Sequence, residues 1–372
     1  MLPAVRTDEE WQAVVWDEHV VRPAAEDLAA RLGLAGAGLR RYPDGSRPVY
    51  AVGDRRVLKL YPTVSAPGSV TEARVLEHLH GRLPVATPEL LAHGEYENGW
   101  RYLLMSQLPG TGLAGAWPAI PRPDQERVAD QTGELLAALH GLDPEPLDAI
   151  LGPADWSGFL AGQRATAAAR QRAVRLPDPW LSQIEDFLAS APLTPGRERV
   201  LLHTEVTREQ LVVNPGPWTL SGLLDFETAM TGDRAYEFVP VGVFISRGDP
   251  RLLGRILAAY GRGFDPRELL AYTLLHTCPS ASGSSRPRPS PPWIPWPAPG
   301  STPPRRDGNP ALRRPWRFPS RAGGGARVSD PRSSAGAARG RQGVPRGTES
   351  SRRPPRSRRG RRGSSRAAHE PT

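Results

Sequence analysis

The sequence predicts an α+β fold in two parts, a small antiparallel sheet carrying one helix and then a mostly helical region, followed by a long tail of another kind. Three observations carry that expectation. Between Pro48 and Leu104 the apolar residues fall in short strand-like stretches closed by tight-turn pairs, with one helical stretch among them. After Leu108-Pro109-Gly110 the apolar spacing turns helical. At Thr277-Cys278 the composition changes abruptly: residues 278–372 hold only four Ile, Leu or Val (Ile294, Leu312, Val328, Val344). The expected divisions are an N-terminal helical segment over 1–35, a sheet-bearing part over 36–108, a helical part with functional loops over 109–277, and a basic tail over 278–372. The tail is expected to be disordered because so few apolar residues cannot offset its ordering entropy.

Taken in order, residues 8–33 read as helical, with Trp11, Val14, Val15, Leu28 and Leu32 at helical spacing. Pro48 to Val52 and Arg56 to Tyr61 read as strands joined by a two-residue turn at Gly53-Asp54. Residues 69–80 form an amphipathic pattern through Val70, Ala73, Leu76 and Leu79, closed by Pro84 and Pro88. A second strand pair is expected at Glu89–Tyr96 and Trp100–Leu104, with Asn98-Gly99 as its turn. Beyond the hinge, Glu126–Leu142 and Trp180–Leu188 read as helices. A compact β segment follows (Val200–Leu202, Gln210–Val213, Thr219–Leu224), and helices resume at Arg251–Tyr260 and Pro266–His276.

Charge separates the tail from the body. Residues 278–372 carry 21 arginines and four acids, a net of +17, which leaves 27 cations against 35 acids, a net of −8, on residues 1–277. The acidic body suits a cationic small molecule and argues against nucleic-acid binding by the globular part. The single cysteine, Cys278, excludes an internal disulfide framework and a Cys-rich zinc site. With no apolar run of 18 residues and no signal-peptide core in the first ten, the expectation is a cytoplasmic protein without a membrane span.

One lysine, Lys59, stands against 47 arginines. In a chain where arginine serves wherever either cation will do, a retained lysine points to a need for a compact ammonium rather than a planar fork. It lies on the predicted strand Arg56–Tyr61, and Glu72 follows on the predicted helix. Strand alternation puts Val57 on the face of Lys59 and turns Leu58 and Leu60 to the other side.

The densest run of chemistry is Leu202-His203-Thr204-Glu205-Val206-Thr207-Arg208-Glu209-Gln210-Leu211, followed by Leu223-Leu224-Asp225-Phe226-Glu227. These segments resemble the catalytic and metal-binding loops of the aminoglycoside phosphotransferase family, small-molecule kinases of the protein-kinase-like fold. That family's pattern is His-Gly-Asp, four residues, Asn, then an Asp-Phe strand end about fifteen residues on. Here Glu205 to Gln210 is five positions and Gln210 to Asp225 is fifteen. Gly232-Asp233-Arg234 with Tyr236-Glu237, the Leu135–Leu142 helix and the hinge-like Leu103–Gly110 run extend the resemblance, which covers roughly 38–276.

The resemblance implies a two-lobed kinase-like fold that uses ATP and Mg²⁺ to phosphorylate a hydroxyl of a small molecule, most plausibly an aminoglycoside-type antibiotic, with resistance as the result. In that scheme Lys59 grips the α- and β-phosphates, Glu72 holds Lys59, and Val57 roofs the adenine. Ser106 to Leu108 meet the adenine edge, and Ser46, in the turn Asp44-Gly45-Ser46, covers the phosphates. Asp225 and Gln210 would ligate Mg²⁺, since a hard cation takes oxygen ligands, and Glu205 would accept the acceptor's proton. His203 reads as a structural loop residue, and Glu227 and Glu237 are acids that could attract a polycationic sugar but are not counted among the site residues.

Two departures are visible: Glu205 stands where the family has Asp, and Gln210 where it has Asn. Each adds one methylene, an outward shift of about 1.3 Å, and a lone displacement of that size costs on the order of 10²-fold in rate. Joint lengthening fits a loop set further from the metal with chemistry kept; the alternative is a nucleotide-binding pseudokinase. The tail reads either as an arginine-rich arm that binds nucleic acid by counterion release or as the product of a reading-frame change near Thr277.

Overall fold

The computed structural model describes residues 2–43, 45–193 and 198–276. Asp44 of the expected phosphate-covering turn lies outside the described residues, as do Thr277, Cys278 and the tail with both of its readings.

The first helical stretch is two helices, α1 (Asp8–Val14) and α2 (Glu18–Arg31), not one. Each has its own start signal. Thr7 and Glu10 form a reciprocal capping box, and the Asp17 carboxylate accepts from His19 N at 2.9 Å, so the helix stops and restarts there. The sheet comprises β1 (Leu39–Arg41), β2 (Val49–Val52) and β3 (Arg56–Tyr61), then α3 (Ala66–Leu79), then β4 (Leu90–Glu95) and β5 (Arg101–Ser106). Its order is β1-β2-β3-β5-β4, all antiparallel. Val52 pairs with Arg56, so three residues rather than two close the β2–β3 hairpin, with Gly53 at φ +58°. At the β4–β5 turn Asn98 and Gly99 both take positive φ, as the two-residue turn there requires.

Alternation along the strands divides the sheet's faces. Tyr50, Leu58, Leu60 and Leu104 pack with Trp100 against Trp11, Val15, Val21 and Leu28 of the N-terminal helices. Tyr61, Leu103 and Met105 face the other way, onto Ala73, Val75, Leu76 and Leu79 of α3. Each such side chain contributes roughly 1.5–3 kcal/mol on burial, so both faces of this small sheet are held. Val70, expected on the buried stripe of α3, is exposed; Ser69 and Glu72 take the inner positions instead.

Past the hinge come β6 (Thr111–Gly112), α4 (Leu113–Ala116) and α5 (Arg122–Leu139), then α6 (Trp156–Ala173), α7 (Asp178–Leu181) and α8 (Ile184–Ser190). The expected 180–188 helix is therefore split, and α6 is an element the apolar pattern did not reveal, because only Ala167 along it is fully buried. The β segment is β7 (Val200–Leu202), β8 (Leu211–Asn214) and β9 (Thr219–Leu223), with β10 (Met230–Gly232) returning to pair with β7. The short α9 (Phe238–Pro240) runs into a π-helical turn over Val241–Ser246, and α10 (Pro250–Tyr260) and α11 (Pro266–Leu275) complete the described chain. Helices α5 and α10 cross closely at Gly133, where a Cβ would stand 2.3 Å from the Ile256 carbonyl oxygen. This is the α+β, two-lobed arrangement of a protein kinase. Among the described residues no helix is long and apolar enough to cross a membrane.

Candidate active site

Lys59 projects from the middle of β3 and is almost wholly buried. Its ammonium nitrogen lies 2.8 Å from Glu72 Oε2 on α3 and 2.5 Å from Asp225 Oδ1 just after β9. Glu227 Oε2 is 2.9 Å away, without the alignment of a hydrogen bond. Three carboxylates thus surround one ammonium. Burial alone would push Lys59 down, but Asp225, Glu227 and Glu72 outweigh it and hold the pKa well above the ordinary lysine value. Burial raises Glu72, partly offset by Lys59, and the Tyr61 hydroxyl also donates to Glu72 Oε2. Asp225 is the open member, its side chain one-third exposed, and Lys59 keeps its pKa below the usual range despite the penalty of burial.

Just past the end of β9 the chain leaves the extended conformation and delivers two acids: Asp225 and Glu227 reach the lysine while Phe226, between them, is buried. Glu227, weighed from sequence only as an acid that could attract a polycationic sugar, belongs to the cluster; the i, i+2 spacing from Asp225 was the available signal. Asp225 has φ +73°, a left-handed conformation that non-glycine residues adopt at a cost of about 1–2 kcal/mol.

The loop after β7 brings Glu205 beside this cluster. Burial, then the charges of Asp225 and Glu227, raise its pKa to about 7. The loop is pinned from three sides. Glu237, fully buried, accepts from His203 N at 2.6 Å and Thr204 N at 2.9 Å, which makes it a structural acceptor with no exposure to a ligand. The His203 ring accepts from Glu205 N through Nδ1 at 3.2 Å and donates from Nε2 to the Leu224 carbonyl at 2.8 Å, so it ties this loop to the strand bearing Asp225. The Arg208 guanidinium stacks 3.6 Å from the Trp117 ring centroid and donates to the Ile245 carbonyl. Thr204 itself has φ +70°. It stands at the glycine of the family's His-Gly-Asp pattern, a third departure that the sequence reading passed over; its hydroxyl is tied to Thr228 O at 3.1 Å and to the Thr228 hydroxyl at 3.0 Å.

The other expected residues are placed less uniformly. Gln210 accepts from Leu224 N through its carbonyl at 2.9 Å, and its side-chain oxygen accepts from the Thr207 hydroxyl. Val57 is half-buried, paired with Met105 and Ala51 on the Lys59 face. Ser106 N–H is already donated to Glu89 O at 2.9 Å, and its hydroxyl accepts from Glu89 N, so its amide is not free to read a base. Gln107 N–H goes to Arg55 O. Among the described residues, Leu108 is the hinge position whose backbone groups enter no described hydrogen bond. Ser46 is exposed and is not brought to the cluster; its neighbour Arg47 is, through an ion pair to Glu227 Oε1 at 3.2 Å.

A divalent cation fits this donor set. Glu72, Asp225 and Glu227 each offer a carboxylate oxygen, all within 4.8 Å of one another, and their charge exceeds that of Lys59. Hard oxygen donors in excess of the local cation are what Mg²⁺ takes. A cavity of about 450 Å³ lined by Asp233, Arg234, Arg262, Phe264, Asp265 and Glu268 shares no residue with the cluster.

Comparison with known proteins agrees with this fold. The family model described as "Phosphotransferase enzyme family" matches residues 38–272. Among solved structures, the chain is similar to the GDP complex of wild-type aminoglycoside 2'-phosphotransferase-IIIa (15% identity, TM-score 0.59, 68% of this chain and 88% of that one). It is also similar to aminoglycoside-3'-phosphotransferase of type VIII (21%, 0.51, 68% and 97%). A third similar structure is the apoenzyme of macrolide 2'-phosphotransferase MphH from Brachybacterium faecium (23%, 0.52, 68% and 88%).

Proposed function

The chain belongs to the phosphotransferase enzyme family and is a phosphotransferase with an alcohol group as acceptor, and from that premise we propose that it moves the γ-phosphoryl group of ATP to a hydroxyl of a cationic small molecule, an aminoglycoside-type antibiotic first among them. The observation that carries this reading is the contact of Lys59 with both Glu72 and Asp225, at 2.8 and 2.5 Å, beside a carboxylate whose pKa sits near 7. Phosphoryl transfer needs positioning and charge neutralisation more than covalent help from the protein.

Lys59 holds the donor's α- and β-phosphates, and Glu72 fixes the lysine. Val57 covers the adenine, and Leu108 presents its backbone to the adenine edge. Asp225, with Gln210 and the neighbouring carboxylates, would hold Mg²⁺, which would neutralise charge on the phosphate oxygens. Glu205 takes the proton of the attacking hydroxyl; a base with a pKa near the working pH combines availability with driving force. The net charge of −8 on residues 1–277 favours a polycationic acceptor. Two of the similar structures are aminoglycoside phosphotransferases, and one acts on macrolides. Transfer to such a drug in the cytoplasm, where ATP is supplied, would make the host resistant.

A nucleotide-binding protein that transfers nothing is the competing reading, favoured by one contact: the side-chain oxygen of Gln210 is engaged by Thr207. Single-turnover reaction of the full chain with labelled ATP and Mg²⁺, across aminoglycosides and macrolides, separates the two. Label transfer to an aminoglycoside, abolished by Asp225→Asn, is the expected result. Tight ATP binding with no transfer to any acceptor would establish the competing reading.

A further inference from the structure

Arg47 is the one cation at the cluster that the phosphoryl-transfer scheme leaves without a task. It lies two residues before β2, and the ladder carries it toward Lys59. Val49 pairs with Lys59, and Pro48 O accepts from Leu60 N at 3.0 Å. Residues 47 and 49 share a face, so Arg47 comes to lie across from Tyr61 on the lysine side of the sheet.

Its hold there is light. One ion pair at 3.2 Å joins Nη2 to Glu227 Oε1, and the guanidinium carbon lies 5.8 Å from the Tyr61 ring centroid and 6.0 Å from that of Trp11. Those separations are at the limit of a cation–π contact. Nη1 reaches only Ser46, at 3.3 Å, and the buried Nε has no partner. A buried donor without an acceptor is costly, so the guanidinium is under-satisfied where it rests. The segment before it has Gly45 at φ +110° and Ser46 exposed.

We infer that Arg47 is a second cation for the donor's phosphates, parked on Glu227 until they arrive. Resting on the kinase reading above, this gives the strand-leading loop a charged function in place of the one expected of Ser46. Two oxygens of a phosphate supply Nε and Nη2 with the paired acceptors a guanidinium fork prefers, and the departure of Arg47 returns Glu227 to the metal side of the cluster.

The test is the affinity of the full chain for ATP, ADP and adenosine, for wild type and Arg47→Met, which keeps an unbranched apolar stem against Trp11 and Tyr61 and removes the guanidinium. The expected result is an ATP affinity about 10- to 100-fold weaker, a smaller loss for ADP, and adenosine affinity within about twofold. Arg47→Lys should recover part of the ATP loss. Unchanged ATP affinity in Arg47→Met, or an equal loss for adenosine, would overturn the inference and leave Arg47 a strut. Failure of the wild type to bind any nucleotide would remove the kinase reading and this inference together.

Discussion

Replacing Glu205 by glutamine should stabilise the protein, and by an amount that grows with pH. Burial and the neighbouring charges of Asp225 and Glu227 raise this carboxyl from 4.5 to about 7. A carboxyl whose pKa is raised on folding supports the fold fully below its unfolded value, and that support is lost as pH rises through the folded value. With 4.5 and 7 as the two values, the carboxyl destabilises the fold by about 0.8 kcal/mol at pH 5 and about 3.3 kcal/mol at pH 8, relative to a group that never ionises. The gain of Glu205→Gln over wild type should therefore increase by about 2.5 kcal/mol between pH 5 and pH 8. Any constant effect of the amide cancels in that difference. Denaturant unfolding of both proteins at the two pH values, without nucleotide or metal, measures it. A difference flat to within about 0.5 kcal/mol would mean that Glu205 titrates as an ordinary surface acid, and the argument for it as a base poised near neutrality would be lost. The same substitution should abolish phosphoryl transfer, a trade of stability for activity in one side chain.

Two more outcomes follow from the cluster and its loop. Lys59→Met leaves Glu72, Asp225 and Glu227 without their ammonium and should cost about 3–5 kcal/mol; millimolar Mg²⁺ should recover more of the thermal midpoint in the variant than it adds to wild type, and no differential recovery would count against a metal among these carboxylates. At Thr204, φ +70° makes the backbone the issue, so Thr204→Gly should be more stable than Thr204→Ala by about 1 kcal/mol in denaturant unfolding; the reverse order would mean the left-handed conformation is not kept in solution.

What could be read from the sequence was local. Arg56–Tyr61 is a strand within the bounds its β-branched and aromatic run suggested, because Gly53-Asp54 closes it on one side and Pro62 on the other. Lys59, Glu72, Glu205 and Asp225 could be nominated together because their spacing matches a known pattern, and the fold brings them to one place. The misses share a physical cause. Leu39–Arg41 and Met230–Gly232 are three-residue strands whose existence depends on a distant partner, so no local periodicity marks them. The helix Trp156–Ala173 buries too narrow a stripe for an apolar pattern to form. Glu237 looks like a surface acid in sequence, and only the tertiary fold turns it into the acceptor for the backbone amides of His203 and Thr204. Arg47 reaches Glu227 across 180 positions of sequence through the β2–β3 register, which no motif encodes.

The charge balance of the cluster gives a reason for the lone lysine. Glu72 Oε2 and Asp225 Oδ1 take hydrogen bonds from one nitrogen, and Glu227 Oε2 lies within 2.9 Å of it. An ammonium can serve converging acceptors because its three N–H groups spread tetrahedrally from a single point. A guanidinium spreads its donors in a plane over a wider fork, suited to one carboxylate or phosphate at a time. Arginine at position 59 would therefore keep the charge and lose the convergence, which is how one lysine can persist beside 47 arginines. The same geometry makes the cluster by itself too negative for a polyphosphate, since three carboxylates and Glu205 face a single firmly held cation. Glu205 answers by staying partly protonated near neutrality. On the proposed scheme a bound cation and Arg47 would supply the remaining positive charge, the one through the carboxylates and the other by leaving Glu227. Donor binding, metal binding and the state of the base are in this way consequences of one excess of negative charge around Lys59.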